Sequence, residues 1–246
     1  MAKYFDEQKW ANVLTRQDWS LLLAEDFKLL TEKAKTSDEK TSKEIGEEVY
    51  GFIESGLASN KIFLGSEGLN WDEERKPIDT VVVHHTSNPA SITPQKLSAM
   101  QLIRLYASYY ASPNYRERDI TGQAIYSNHF KEGRQVFYAY HWLVHMDGKT
   151  ERLLNDGEIG WQAGNWDINR RSVAICLDND FENSSPANHV LSAVAGIIKS
   201  HYPQVPAMNI KGHREINPRT ICPGNDFLNI WKTKLTGLLQ GNAQDF

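Results

Sequence analysis

The spacing of apolar positions changes near residue 78, and that change organises the chain. Upstream, apolar residues recur at helical intervals. Trp19, Leu23, Phe27 and Leu30 fall near one face, and Ile45, Val49, Phe52 and Ile53 follow the i, i+4, i+7, i+8 pattern of another. Thr41 and Glu44 read as a capping box opening the second run, with Gly56 as its stop. The polar stretch KAKTSDEKTSK between them, residues 33–43, reads as an exposed loop. The pattern predicts two or three small helices over residues 1–56 and a connector over 57–77.

Downstream, strand and helix patterns alternate. Thr80 to Val83 is a continuous β-branched run ending at His84-His85, which suits a buried central strand. Thr93-Pro94 opens a helix carrying Leu97, Met100, Ile103, Tyr106 and Tyr110 on one face. Phe137 to His145 and Thr150 to Leu154 read as strands joined by a hairpin turn at Met146–Lys149. Ser172 to Leu177 is a further buried strand, and Ser185-Pro186 starts a helix through Val190, Val194 and Ile197. Ala207 to Ile210 reads as a short strand. Asn225 or Asp226 caps a last helix with Phe227, Ile230, Trp231, Leu235 and Leu238. The whole predicts an α/β fold: a central mixed β-sheet flanked by helices, with an N-terminal helical appendage. Residues 1–77 form the helical region and connector, and 78–246 the main domain.

Composition narrows the function classes. The chain has 246 residues, 40% of them hydrophobic and 24% charged. Residues 1–78 carry 11 Lys and Arg against 16 Asp and Glu, so acidity is concentrated there, on what reads as solvated helix faces. A net charge of −4 argues against a nucleic-acid partner. No stretch approaches the roughly 18 apolar residues of a membrane span. Asp6, Glu7 and Lys9 stand where a secretory signal would place its apolar core, so no export signal is visible. The expected location is the cytoplasm, or the cell wall after release by lysis or a non-classical route. Two cysteines are too few for a disulfide framework.

Three potential ligands fall at telling places. His84 ends a strand, His213 follows Gly212 just past another, and Cys222 lies nine residues on, before Pro223-Gly224. Two strand ends side by side, with a loop returning the cysteine, would converge two imidazoles and a thiolate. That set suits zinc, and three protein ligands leave the fourth tetrahedral position to water. The competing reading makes Cys222 a buried small apolar residue and His213 a loop residue.

Four blocks carry a family resemblance: VVVHHTS (81–87), YAYHWLVHMDGK (138–149), WQAGNWDINRRSVAICL (161–177) and GHREINPRTICPG (212–224). In this order they resemble zinc-dependent N-acetylmuramoyl-L-alanine amidases of the amidase-2 type, shared with phage amidases and peptidoglycan recognition proteins. The resemblance covers about residues 78–240 and implies that His84, His213 and Cys222 hold Zn2+. It implies that Tyr140 acts near the water or oxyanion and that Thr220 is a polarising donor. His141, Trp161 and Asn165 become candidate contacts to a peptidoglycan or muropeptide substrate, with core packing as the alternative for His141 and the tryptophan.

The implied reaction is hydrolysis of the amide between N-acetylmuramic acid and L-alanine. Two departures stand out. Cys176 occupies the place where many relatives have a Glu base, and Gln162 replaces a histidine in Trp161-Gln-Ala-Gly164. The long polar segment Ser112–Val136 reads as a lid, a groove wall or an extra helix. The alternatives are a non-catalytic muropeptide binder on the same scaffold and a hydrolase using Cys222 or Cys176 as nucleophile.

Overall fold

The computed structural model describes residues 2–113, 115 and 118–241. The chain divides into two compact units, Met1–Asn70 with Thr93–Phe137, and Trp71–Ile92 with Tyr138–Phe246. Compactness thus divides the chain differently from the change in composition at 77/78, because Thr93–Phe137 clusters with the N-terminal helices.

The first unit contains helices α1 (Glu7–Val13), α2 (Trp19–Leu22), α3 (Ala24–Thr36) and α4 (Glu39–Ala58). Trp10, Trp19, Leu23, Ile45, Val49 and Ile53 are buried within it. Residues 33–43 are exposed or half-buried, in keeping with their polarity, but they are helical except around Ser37 and Asp38. Asp38, not Thr41, caps α4, accepting the Thr41 N–H at 2.9 Å. A carboxylate meets the unpaired amides and the positive end of the helix dipole together, which lets α4 begin two residues before Thr41. It runs past Gly56 to Ala58.

Thr93 caps α5 (Pro94–Gln101), which continues through a π turn, Leu102–Ala107, into α6 (Ser108–Tyr110). Leu97, Met100, Tyr106 and Tyr110 are buried along it. The Ser112–Val136 segment, of which Asn114, Arg116 and Glu117 lie outside the described residues, is neither a bare loop nor a single helix. It buries Ile120 and Ile125 and forms a short ribbon, Phe130–Lys131 against Arg134–Gln135. Gly65 donates its N–H to the Ile125 carbonyl at 2.8 Å, tying the segment to the first unit.

The second unit holds the sheet. Its strands are β1 (Thr80–His85), β2 (Trp142–Val144), β3 (Thr150–Arg152), β4 (Ser172–Leu177) and β5 (Ile210–Gly212), in the order β3-β2-β4-β1-β5. All pairs are parallel except β2 with β3, so the sheet is mixed, as its hairpin foretold. β1 and β4 are buried along their whole length, which is why both read as unbroken apolar runs. Helices α7 (Trp166–Asn169) and α8 (Asn188–His201) flank β4 in sequence. Val190, Val194 and Ile198 of α8 join Val81, Val83, Val173 and Ile175 in one core with Phe227, Trp231 and Leu235. The last three belong to a π turn, Phe227–Trp231, and α10 (Lys232–Leu239).

Two strand expectations shift. The Phe137 N–H donates to Ser98 Oγ, so regular pairing starts only at Trp142. Residues Ala207–Asn209 form a 3-10 turn rather than a strand, and β5 lies just after it. That shift places Gly212 at the strand's end and His213 immediately beyond.

Candidate metal centre

β1 and β5 are parallel neighbours, so their carboxyl ends emerge together at one edge of the sheet, where α/β folds commonly gather ligands. His84 lies near the end of β1 and is 1% exposed. His213 opens the short helix α9 (His213–Ile216) directly after β5. Its departure point is set by close packing. A Cβ on Gly212 would stand 2.4 Å from the Phe227 ring and 2.8 Å from Pro223 Cδ, so only glycine fits.

The return loop is equally constrained. Arg214 N–H donates to the Cys222 carbonyl at 2.7 Å, and Cys222 N–H donates to Thr220 Oγ1 at 3.1 Å. Gly224 adopts φ +126° beside the Phe181 carbonyl, a backbone state that a side chain would both strain and block.

The three side chains converge. Cys222 Sγ lies 3.6 Å from His84 Nδ1, and the rings of His84 and His213 are 4.7 Å apart. The three candidate ligand atoms are all within 4.8 Å of one another, and no fourth His, Cys, Asp or Glu joins them among the described residues. The donor set fits zinc. With bonds of about 2.3 Å to sulfur and about 2.0 Å to nitrogen, a tetrahedral S···N edge is about 3.5 Å. His213 Nε2 is buried and has no hydrogen-bond partner, a vacancy that costs about 1–3 kcal/mol unless something satisfies it.

Electrostatics set the protonation of the metal-free trio. Burial lowers the pKa of His84 well below the ordinary imidazole value, and the neighbouring His213 lowers it further. Burial also lowers His213 and pushes the Cys222 thiol up to about 12. Cys176, fully buried, is raised as well. Neither cysteine is a thiolate at neutral pH, so the cysteine-nucleophile alternative loses its reactive species.

A measurable consequence follows from the signs. Two ordinary imidazoles of pKa about 6.5 and a thiol would together give up about 2.5 protons on binding a cation at pH 6. Here His84 is held well below that value and His213 is lowered too, so the imidazoles give up fewer protons while the thiol still loses its own. Calorimetric zinc titrations at pH 6 in buffers of different ionisation enthalpy should therefore report fewer than two protons released. A value above two would contradict the depressed imidazoles.

Two further groups flank the trio. The Tyr140 ring centroid lies 5.1 Å from that of His84, and its hydroxyl hydrogen-bonds the Cys176 thiol. Cys176 pairs with His84 across the β1–β4 ladder, so both point to the same face. Thr220 accepts from Cys222 N–H, which leaves its own hydroxyl proton as a donor.

Against protein families, the chain matches the Amidase_2 model, N-acetylmuramoyl-L-alanine amidase, over residues 74–225, more than half its length and the whole of this centre. The chain belongs to the amidase-2 family.

The amidase is thus a hydrolase of peptidoglycan amide bonds. Among solved structures it is similar to the N-acetylmuramoyl-L-alanine amidase LysC from Clostridium intestinale URNW, at 18% identity and a TM-score of 0.48. That match covers 71% of this chain and 95% of the other. It is also similar to the Ph2119 endolysin of a Thermus scotoductus bacteriophage, at 19% identity and a TM-score of 0.40, covering 67% and 86%. A third is the Drosophila peptidoglycan recognition protein SD, at 20% identity and a TM-score of 0.39, covering 61% and 76%. No curated protein matches.

The residues expected to touch substrate have other employment in the amidase. His141 is fully buried, with Nδ1 accepting from Ala174 N–H at 3.1 Å and Nε2 donating to the Glu158 carbonyl at 3.0 Å. Both ring nitrogens are committed to bonds within the fold. Trp161 is 8% exposed and stacks edge-on against Trp71 at 5.2 Å, with Trp166 at 5.1 Å, which makes it part of an aromatic core. Asn165 is exposed, and its side chain caps α7 by accepting Ile168 N–H at 3.2 Å. Sequence reasoning noticed Gln162 only as a departure. In the fold its Oε1 lies 2.6 Å from His84 Nε2.

Proposed function

We propose that this amidase cuts the bond between the lactyl group of N-acetylmuramic acid and L-alanine, using a zinc ion held by His84, His213 and Cys222. The observation that carries this reading is the trio itself: one buried thiol and two imidazoles whose ligand atoms lie within 4.8 Å of one another, with no fourth His, Cys, Asp or Glu among the described residues. When bound there, zinc polarises the scissile carbonyl and lowers the pKa of water toward about 7.

The rest belongs to the chain's own side chains. Tyr140 directs its hydroxyl at the oxygen on which negative charge develops, and Thr220 donates to the carbonyl or positions the attacking water. Cys176, a neutral thiol where many relatives carry a glutamate, cannot serve as the base. Proton handling therefore falls to Tyr140 and Thr220. A non-catalytic binder on this scaffold is the weaker reading, because the thiol ligand is present. We place the activity on wall material met in the cytoplasm or after release by lysis.

The test is an end-group assay on purified muropeptide. Peptide with a free L-alanine amino terminus should appear, stop on chelation and resume on adding zinc. Binding of muropeptide without any release of peptide would sink the hydrolytic reading.

A further inference from the structure

The outer nitrogen of His84 is held by a short segment: His84 Nε2 meets Gln162 Oε1 at 2.6 Å. The segment is itself clamped. Gln162 N–H and Ala163 N–H both donate to Asn169 Oδ1, at 3.3 and 2.9 Å, and the Gln162 amide donates to Ser172 Oγ at 3.0 Å. Asn169 is 5% exposed and Ser172 fully buried, so no water competes for these bonds.

We propose that Gln162 sets the tautomer of His84, as a positioning residue for the metal centre. Resting on the reading that His84 is a ligand, it goes beyond it by stating which atom that ring presents. A neutral imidazole has one N–H and one lone pair, and a cation takes the lone pair. Gln162 Oε1 can only accept, so it holds the His84 proton on Nε2 and turns the Nδ1 lone pair toward Cys222 Sγ. His84 thus presents Nδ1, and one loop, anchored at Asn169, holds the ring in that orientation.

A glutamine accepts through Oε1 while its amide donates to Ser172, which a single imidazole nitrogen cannot do. Outer partners of this kind are worth about 10–100-fold in metal affinity.

Two measurements test this. Nitrogen-15 NMR of the metal-free wild type should show His84 protonated at Nε2. Zinc affinity, measured by competition with a chromophoric chelator, should fall about 10–100-fold in Gln162→Leu and stay at or above the wild-type level in Gln162→Glu. Thermal unfolding of the metal-free variants reports whether each is folded. A His84 proton on Nδ1, or undiminished affinity in folded Gln162→Leu, would overturn the proposal. So would equal losses in the Leu and Glu variants, which would signify packing alone. The NMR arm needs neither metal nor substrate, so it is read even if the wild type binds no zinc or releases no peptide, outcomes that count against the proposed function instead.

Discussion

Cys222→Ala should yield a folded protein that no longer retains stoichiometric zinc and releases peptide at least about 10³-fold more slowly than wild type. The magnitude comes from the carbonyl polarisation that the cation supplies, several kcal/mol of transition-state stabilisation at about 1.4 kcal/mol per tenfold. Two imidazoles alone make a poor tetrahedral site, and the lost sulfur is the only ligand able to bring negative charge. Cys222 Sγ also accepts the His85 N–H at 3.5 Å, so the alanine variant will lose some stability by leaving that buried amide unmet. Cys222→Ser keeps an acceptor there and separates the two effects. Metal analysis beside the end-group assay checks the prediction. Full activity in a metal-depleted Cys222→Ala protein would remove the cation from the reaction.

Tyr140→Phe is expected to behave differently. The ring stays against His84, zinc content stays stoichiometric, and kcat falls about 10²–10³-fold with little change in KM. The hydroxyl is asked to meet charge that exists only as the tetrahedral species forms, so its removal should spare ground-state binding. Loss of its hydrogen bond to Cys176 leaves a neutral thiol behind, a minor penalty compared with stranding a charge. An unchanged kcat in the phenylalanine variant would exclude Tyr140 from the chemistry.

Much of the sheet was legible because its central strands are buried on both faces and so show as apolar runs, Val81–Val83 and Ser172–Leu177 among them. The ligands were legible for a related reason: chemistry at a strand's end is marked by the strand itself. Capping was misjudged at α4: Thr41 read as the cap, whereas Asp38, three residues earlier, accepts the free amide. The Ala207–Ile210 assignment slipped because a short apolar run does not announce where pairing begins. His141 and Trp161 stood open between substrate contact and packing, because a conspicuous residue type does not reveal how many partners it already has. The outer partner of His84 lies 78 residues away at Gln162, and no local spacing rule connects them.

The interleaving of the two units has a practical consequence for dissecting this enzyme. Three covalent crossings link them, because the polypeptide makes an excursion into the helical unit between β1 and β2 before completing the sheet. A fragment beginning at Ile78 would keep α5 and Tyr110 but discard α4, whose Glu54 and Glu47 bind Thr93 and Lys96 at the start of that excursion. Such a truncation would strand an apolar helix without its companions. A minimal hydrolase must therefore either retain the amino-terminal helices or splice out Thr93–Phe137 along with them.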